Sequence, residues 1–500
     1  MKLNYKGIFR RSTSGSQRQR HERDNGHSDE GPRRTGTFSS LLTPSKKVGP
    51  SPTMFQSFRS ILCSSWINLL LLCIPVSWVL NFATDNDTLI FVFSFLAIIP
   101  LAKLLAFATD ELSMRVGQTL AGLLNATLGN AVELIVAIIA LTQCKLHIVQ
   151  SSLIGSMLSN LLLVLGMCFF AGGVRFSEQG FGLIASQLNS SLLTIAVIAI
   201  LLPAAFYYNV TTNTDSDEGQ DLLKVSHGVA LILLFIYAAY LVFQLYSHAA
   251  LYNDENDIIK STKYAPRPKK TKSSKSINTA AATFTSVASL AGGRHSLRDV
   301  EKGLAPPATP SANGRVNTEG EADEEQPQMN LFATVVLLAV VTALVSVTAE
   351  WLVDSIDGLT DTGAITQEFV GIILLPIVGN AAEHVTAVTV SVKDKLTLSL
   401  GVAVGSTLQI ALFVIPFIVT LGWIMGKPLT LLFDPYESIT LFLAVLTVNY
   451  SVQDGKSNWL EGMILMCLYI ILCVTFWYYP GKIIHFPSQF FFHNNFRFTP

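Results

Sequence analysis

Long apolar stretches separated by short polar breaks dominate this chain. A membrane-crossing helix needs about 20 mostly apolar residues. That length predicts eleven spans, near 61–82, 88–108, 117–143, 148–171, 182–206, 227–249, 330–356, 367–391, 396–422, 430–452 and 458–480. The expected fold is therefore an all-α polytopic membrane protein. The first span begins behind a long polar tail, so it is read as an anchor rather than a cleaved signal.

Composition supports this class and excludes a soluble globular one. Half of the 500 residues are hydrophobic, 14% are charged, and the mean hydropathy is +0.45. The net charge of −1 is uninformative, but its distribution is not. Residues 1–60 carry Lys2, Lys6, Arg10, Arg11, Arg18, Arg20, Arg23, Arg33 and Arg34, and a second basic cluster runs from Lys260 to Lys275. Six spans separate the two regions, so both fall on one side, and positive charge assigns that side to the cytoplasm. The connections near 83–87, 208–221 and 357–368 carry Asp or Glu instead and fall on the other side.

The expected organisation is a disordered basic tail over 1–58, a first helix over 59–84, a repeat over 88–250, a disordered cytoplasmic loop over 251–329, a second repeat over 330–480 and a lumenal tail over 481–500. The acids Glu319, Glu321, Asp323, Glu324 and Glu325 read either as a solvated charge run or as a cation-attracting segment. Asn86-Asp87-Thr88 and Asn209-Val210-Thr211 are glycosylation triplets. The six cysteines lie in or beside apolar spans without metal-ligand spacing and read as packing thiols.

An internal repeat changes the picture. Gly129-Asn130-Ala131-Val132-Glu133 recurs as Gly379-Asn380-Ala381-Ala382-Glu383, and the ungapped offset of 250 holds from Gly129–Gly172 to Gly379–Gly422. Lys145/Lys395, Gly155/Gly405 and Ser156/Ser406 match on that offset. A carboxylate at membrane depth costs roughly 2.5–3.5 kcal/mol, so two in one frame point to function. Spans 2–6 and 7–11 hold five helices each, an odd number that reverses the second repeat in the membrane. Inverted repeats place their site near the midplane, with Glu133 and Glu383 converging there.

The chemistry follows from residue types. Asn130 with Glu133, and Asn380 with Glu383, sit three apart on one helix face. Gly129 and Gly379 permit either close helix approach or local unwinding. Ser156, Ser159 and Asn160, with Ser406 and Gln409, add oxygens toward the 6–8 that Ca2+ prefers. No His/Cys cluster suits Zn2+ or Cu+. Two carboxyls in apolar surroundings favour their protonated forms, whereas a divalent cation needs them ionised. Occupancy by Ca2+ or by protons is then mutually exclusive, which is what exchange requires.

Other acids leave alternatives open. Asp110, Glu111 and Glu350 read equally as interfacial solvated groups or as proton and access-path residues. His384, the base adjacent to the second motif, reads as a packing hydrogen-bond partner or as a ligand.

At these residues the chain resembles the Ca2+/H+ exchanger family of the cation/Ca2+ exchanger superfamily. The resemblance rests on GNAVELI at 129–135, GNAAEHV at 379–385, ATDEL at 108–112, GSMLSNLLLVLG at 155–166 and GSTLQIAL at 405–412. It covers residues 88–250 and 330–480. It implies one extra N-terminal helix plus two inverted five-helix repeats, and export of cytosolic Ca2+, sometimes Mn2+, for protons. Glu133, Glu383, Ser156, Ser159, Asn160, Ser406 and Gln409 match the family's site positions. The layout is similar to fungal vacuolar members, which implies the vacuolar membrane. The family's acidic helix between repeats is split here, between Asp254–Asp257 and Glu319–Glu325.

The sequence thus reads as a proton-driven Ca2+ antiporter, with a Na+-driven exchanger as the nearest rival and a Ca2+-permeable channel as the more distant one. No catalytic constellation, cofactor or nucleic-acid partner is expected. The expected partners are the bilayer and the transported ions, and self-association into a homo-oligomer is compatible with the reading.

Overall fold

The computed structural model describes residues 49–63, 65–210, 218–248, 251, 259–264, 326–361 and 363–481. The basic tail up to residue 48, the acidic run 319–325, Thr211 of the second glycosylation triplet and the tail beyond 481 lie outside the described residues.

The chain begins with α1 (Met54–Cys63) and α2 (Trp66–Ala83), followed by the long α3 (Asp87–Ser113). Asn86 caps α3, its Oδ1 accepting from Leu89 N at 3.1 Å. A bent pair follows, α4 (Gln118–Leu128) and α5 (Ala131–Thr142). Next come α6 (Leu146–Arg175), β1 (Phe176–Gly180), α7 (Leu183–Val210) and α8 (Glu218–Val242). After the central loop with its short β2 (Thr262–Lys263) stands α9 (Leu331–Asp361). A second bent pair, α10 (Gln367–Gly379) and α11 (Ala381–Val392), precedes α12 (Leu396–Ile424). The chain closes with α13 (Pro435–Ser451), β3 (Lys456–Ser457) and α14 (Trp459–Trp477).

Among the described residues eight helices are long and apolar enough to cross a membrane, or ten if each bent pair is one span. The sequence expectation of eleven differs by one helix, α13, which is shorter than those counted. The run expected near 430–452 is helical only from Pro435, giving α13 17 residues. Pro428 and Pro435 frame a non-helical stretch, because proline lacks the amide that a helix interior needs. Its Leu429, Leu431, Leu432 and Phe433 are nonetheless buried. Gln150 Nε2 satisfies the carbonyls of Thr430 and Leu432 at 2.9 and 3.0 Å. Buried apolar side chains on an extended backbone have no periodicity that marks them off from a helix.

Two expectations need correction. Residues 54–58 belong to α1 rather than to a disordered tail. Residues 262–263 of the central loop join a three-stranded antiparallel sheet of order β2-β1-β3 in this otherwise helical protein. Tyr264 donates to Gly173 O at 2.7 Å and Ser261 to Asp394 Oδ1 at 2.7 Å, which ties this part of the loop to both repeats.

The most buried helix is α6, 83% of whose most apolar window lies inside the protein. It needs glycine to pack so closely. A Cβ at Gly166 would stand 3.0 Å from the Gly462 carbonyl of α14, the small-residue contact by which membrane helices approach. Large apolar side chains such as Trp66, Phe82, Phe235, Ile464 and Ile470 face outward, more than half exposed. Such a surface suits lipid, not water.

Candidate ion-binding site

Both expected spans carrying the repeated motif are broken at the motif. α4 and α5 meet at 47° around Gly129–Asn130, and α10 and α11 at 57° around Asn380. Asn130 has φ −100° and ψ 29°, and Asn380 has φ −86° and ψ 4°. These near-zero ψ values interrupt the helical ladder and put Glu133 and Glu383 in the first turn of α5 and α11. There the helix N-terminus favours negative charge. The glycines act differently. A Cβ at Gly379 would stand 2.6 Å from Glu133 Oε1, so glycine lets the first carboxylate lie against the second break.

Side chains then link the two repeats. Asn130 Nδ2 donates to Gln409 Oε1 at 2.6 Å. Ser406 Oγ donates to Glu383 Oε1 at 2.7 Å and lies 3.3 Å from Asn130 Oδ1. Asn380 Nδ2 reaches Ser156 O at 3.5 Å, and Ser159 Oγ lies 3.4 Å from His384 Nε2. Asn160 is fully buried, and neither its Oδ1 nor its Nδ2 has a hydrogen-bond partner. A π-helical turn over Ser159–Val164 in α6 is matched by one over Ile410–Val414 in α12. These residues are almost the same on the repeat offset, and such widened turns commonly sit at functional sites.

The site has oxygens to spare. Glu133 Oε1, Glu383 Oε2, Asn160 Oδ1 and Asn380 Oδ1 are buried without a hydrogen-bond partner. Neither glutamate forms an ion pair with a base among the described residues. Unpartnered buried oxygens are costly in a protein that must keep them. A hard divalent cation held by carboxylate and amide oxygens would satisfy them together.

Access to the two carboxylates differs. Glu383, Ser406 and Gln409 line a cavity of about 710 Å³ whose walls also include Asp110, Asn125 and Thr386. Glu133 borders a separate space of only about 20 Å³, beside Val136, Ser152, Leu153 and Val378. That is room for about one water molecule. The site is open toward the cavity and closed behind Glu133.

The remaining sequence candidates separate. Asp110 lines the cavity. Glu350 is exposed on α9 and lines neither space. Glu111 is neither solvated nor on the path. It is 1% exposed, lies 3.7 Å from Arg115, and accepts from the amides of Gln328 and Met329 at 2.9 and 3.2 Å. It pins the chain entering α9. Glu111→Ala should lower stability by about 2–4 kcal/mol, because two amides lose their acceptor and the partly buried Arg115 loses its nearby carboxylate. Thermal melting of the purified protein checks this, and an unchanged midpoint would refute the anchoring role. Sequence reasoning missed Asn125, which accepts from Ser113 Oγ at 2.7 Å and lines the cavity. An isolated amide in a span was the signal available.

The fold is that of a multi-pass membrane protein in which two helix breaks bring carboxylate and amide oxygens together. The sodium/calcium exchanger protein family model matches residues 86–246 and 333–478, and the chain belongs to that family. It is 51% identical over 474 residues, 88% of this chain and 78% of the relative, to a vacuolar calcium ion transporter of Cryptococcus neoformans var. grubii. It is 38% identical to a Ca2+/H+ antiporter of Synechocystis sp., over 83% of this chain and 97% of that one. The solved structure of native YfkE matches with a TM-score of 0.60 at 28% identity, covering 82% of this chain and 99% of that chain. Another structure of YfkE describes it as a Ca2+/H+ antiporter protein.

Proposed function

We propose that this protein is a secondary active antiporter that moves Ca2+ out of the cytosol in exchange for protons, across the vacuolar membrane. One observation carries the reading. Glu133 and Glu383, from two copies of one motif, stand at helix breaks linked through Asn130, Gln409 and Ser406, with ligand oxygens uncommitted. The relatives, named as calcium transporters and Ca2+/H+ antiporters, support the choice of ions.

The mechanism follows from charge. Two ionised carboxylates neutralise one Ca2+. Without the ion, two negative charges cannot remain close together in a low-dielectric interior, and protons take its place. Only loaded, neutral states then cross between the two faces, so the acidic side drives Ca2+ against its gradient. Inverted five-helix repeats supply the alternation, and the basic residues of the tail and central loop favour a cytoplasmic N-terminus. The large cavity lies at the end of the bundle that carries the central loop, so Glu383 faces the cytosol in this conformation. Asp110, at the cavity wall, is suited to attract the incoming cation. The same oxygen-rich site accommodates Mn2+.

The test is Ca2+ uptake into sealed vesicles with an acidic interior. Uptake should follow the imposed pH gradient and fall to background when the gradient is collapsed. Uptake that survives collapse and tracks a Na+ gradient would overturn the proton reading. Excess Mn2+ should compete with Ca2+, and failure to compete would restrict the site to Ca2+.

A further inference from the structure

A second group of titratable side chains lies at the far end of the bundle from the cavity. His147 opens α6, Glu368 opens α10 and Glu437 lies in the first turn of α13. α6 runs from His147 to Arg175 and on into β1 and Gly182, which lines the large cavity. At 1.5 Å per residue, His147 stands about 40 Å along α6 from Arg175 and about 14 Å from Ser156, which meets Asn380 of the transport site. The second group is therefore distinct from the Glu133–Glu383 site.

Its geometry is that of a ligand set. One nitrogen or oxygen atom from each of His147, Glu368 and Glu437 lies within 4.8 Å of the others. His147 Nε2 and Glu368 Oε1 are 2.8 Å apart. Two ligands at about 2.1 Å from one tetrahedral ion are separated by about 3.4 Å, so this contact need open by only about half an ångström to admit one. Glu437 and Glu368 are 1% and 3% exposed, and Glu437 Oε1 and Glu368 Oε2 are buried without any hydrogen-bond partner. No lysine or arginine pairs with either among the described residues. Lys145, the nearest base in sequence, is taken by Asp357 at 2.9 Å. Asp434, itself buried, adds negative charge beside them and accepts from Tyr479 Oη at 2.9 Å. The backbone closes over the cluster at Gly481, where a Cβ would overlap Glu368 Oε1. His147 remains about 29% exposed, leaving one approach from solvent.

One imidazole cannot balance these acids. Three helix N-termini help, and a bound cation would neutralise the remaining charge. We propose that His147, Glu368 and Glu437 form a second cation site, separate from the transport site, for a borderline divalent ion such as Zn2+. The donor set decides the class. One imidazole nitrogen with two carboxylate oxygens suits Zn2+, whereas Ca2+ takes six to eight oxygens and gains little from imidazole. An ion bound here would cross-link the starts of α6, α10 and α13, which belong to both repeats. It would therefore restrain their relative movement.

The experiment uses the full chain purified in detergent, with Zn2+ alone as probe. The background is Glu133→Gln/Glu383→Gln, which removes both carboxylates of the transport site. About one Zn2+ per chain should bind and resist excess Ca2+. Adding His147→Gln or Glu437→Gln should weaken binding at least ~10-fold and abolish the Zn2+-dependent rise in melting temperature. His147 is the more exposed ligand, so its variant keeps the test valid if Glu437→Gln fails to fold. Undiminished Zn2+ binding in a folded His147→Gln variant, or no Zn2+ bound in the background protein, would overturn the site. Displacement of the Zn2+ by Ca2+ would overturn the ion class.

Discussion

Glu133→Gln and Glu383→Gln are each expected to reduce Ca2+ exchange to background while leaving the protein folded. Glutamine keeps the shape and, at 383, the hydrogen bond from Ser406, which now spans 2.7 Å. It removes half the charge that neutralises a divalent ion and half the proton-carrying capacity. Either loss alone breaks the cycle. The empty protein should be no less stable, because the substitution removes an unpaired buried carboxylate. A second measurement separates binding from folding. Saturating Ca2+ should stabilise the unmodified protein by about 2.7 kcal/mol at 100 times its Kd and should leave the variants' melting temperatures unmoved. Normal transport by either variant would remove that residue from the site.

The second large effect concerns Gly155 and Gly405, which occupy the same place in the two repeats. Their surroundings differ completely. A Cβ at Gly155 would overlap the Ile372 carbonyl and stand 2.6 Å from Pro376 Cγ, whereas a Cβ at Gly405 meets nothing within 4 Å. Gly155 sits in the closed half of the molecule and Gly405 in the open half. In an inverted repeat the halves exchange roles when access alternates, so Gly405 should close against residues 122–126, the counterparts of Ile372 and Pro376 on the repeat offset. Gly405→Ala should therefore fold and bind Ca2+ normally, yet exchange roughly 5- to 160-fold more slowly, because overpacking the closed face costs about 1–3 kcal/mol. Gly155→Ala should destabilise the present state by a similar free energy, read as a lower melting temperature. Wild-type exchange by Gly405→Ala would show that this face does not close against it.

Much of this was legible beforehand because the bilayer imposes length and polarity rules that a sequence states directly. The spans follow from about 20 apolar residues each, and the repeat follows from polar identities that a lipid environment makes expensive. The structure brings Asn130, Glu383, Ser406 and Gln409 within hydrogen-bonding distance across the repeats, a pairing that the sequence left unstated. Other features were hidden for physical reasons. Leu429 to Phe433 are apolar but extended, and apolar composition alone does not distinguish an extended buried run from a helix. Glu111 looked like a membrane-edge acid because its partners, the amides of Gln328 and Met329, are backbone groups more than 200 positions away.

The sequence by itself determined the membrane class, the doubled motif and the residue types able to hold a hard cation, all of which depend on local composition and periodicity. Only the tertiary structure decided that the helices break at Asn130 and Asn380, that Glu383 is open to a large cavity while Glu133 is closed off, and that His147, Glu368 and Glu437 converge. The reason is that equal sequence copies occupy unequal surroundings. A repeat specifies which groups can meet, and packing in one conformation selects which of them face water.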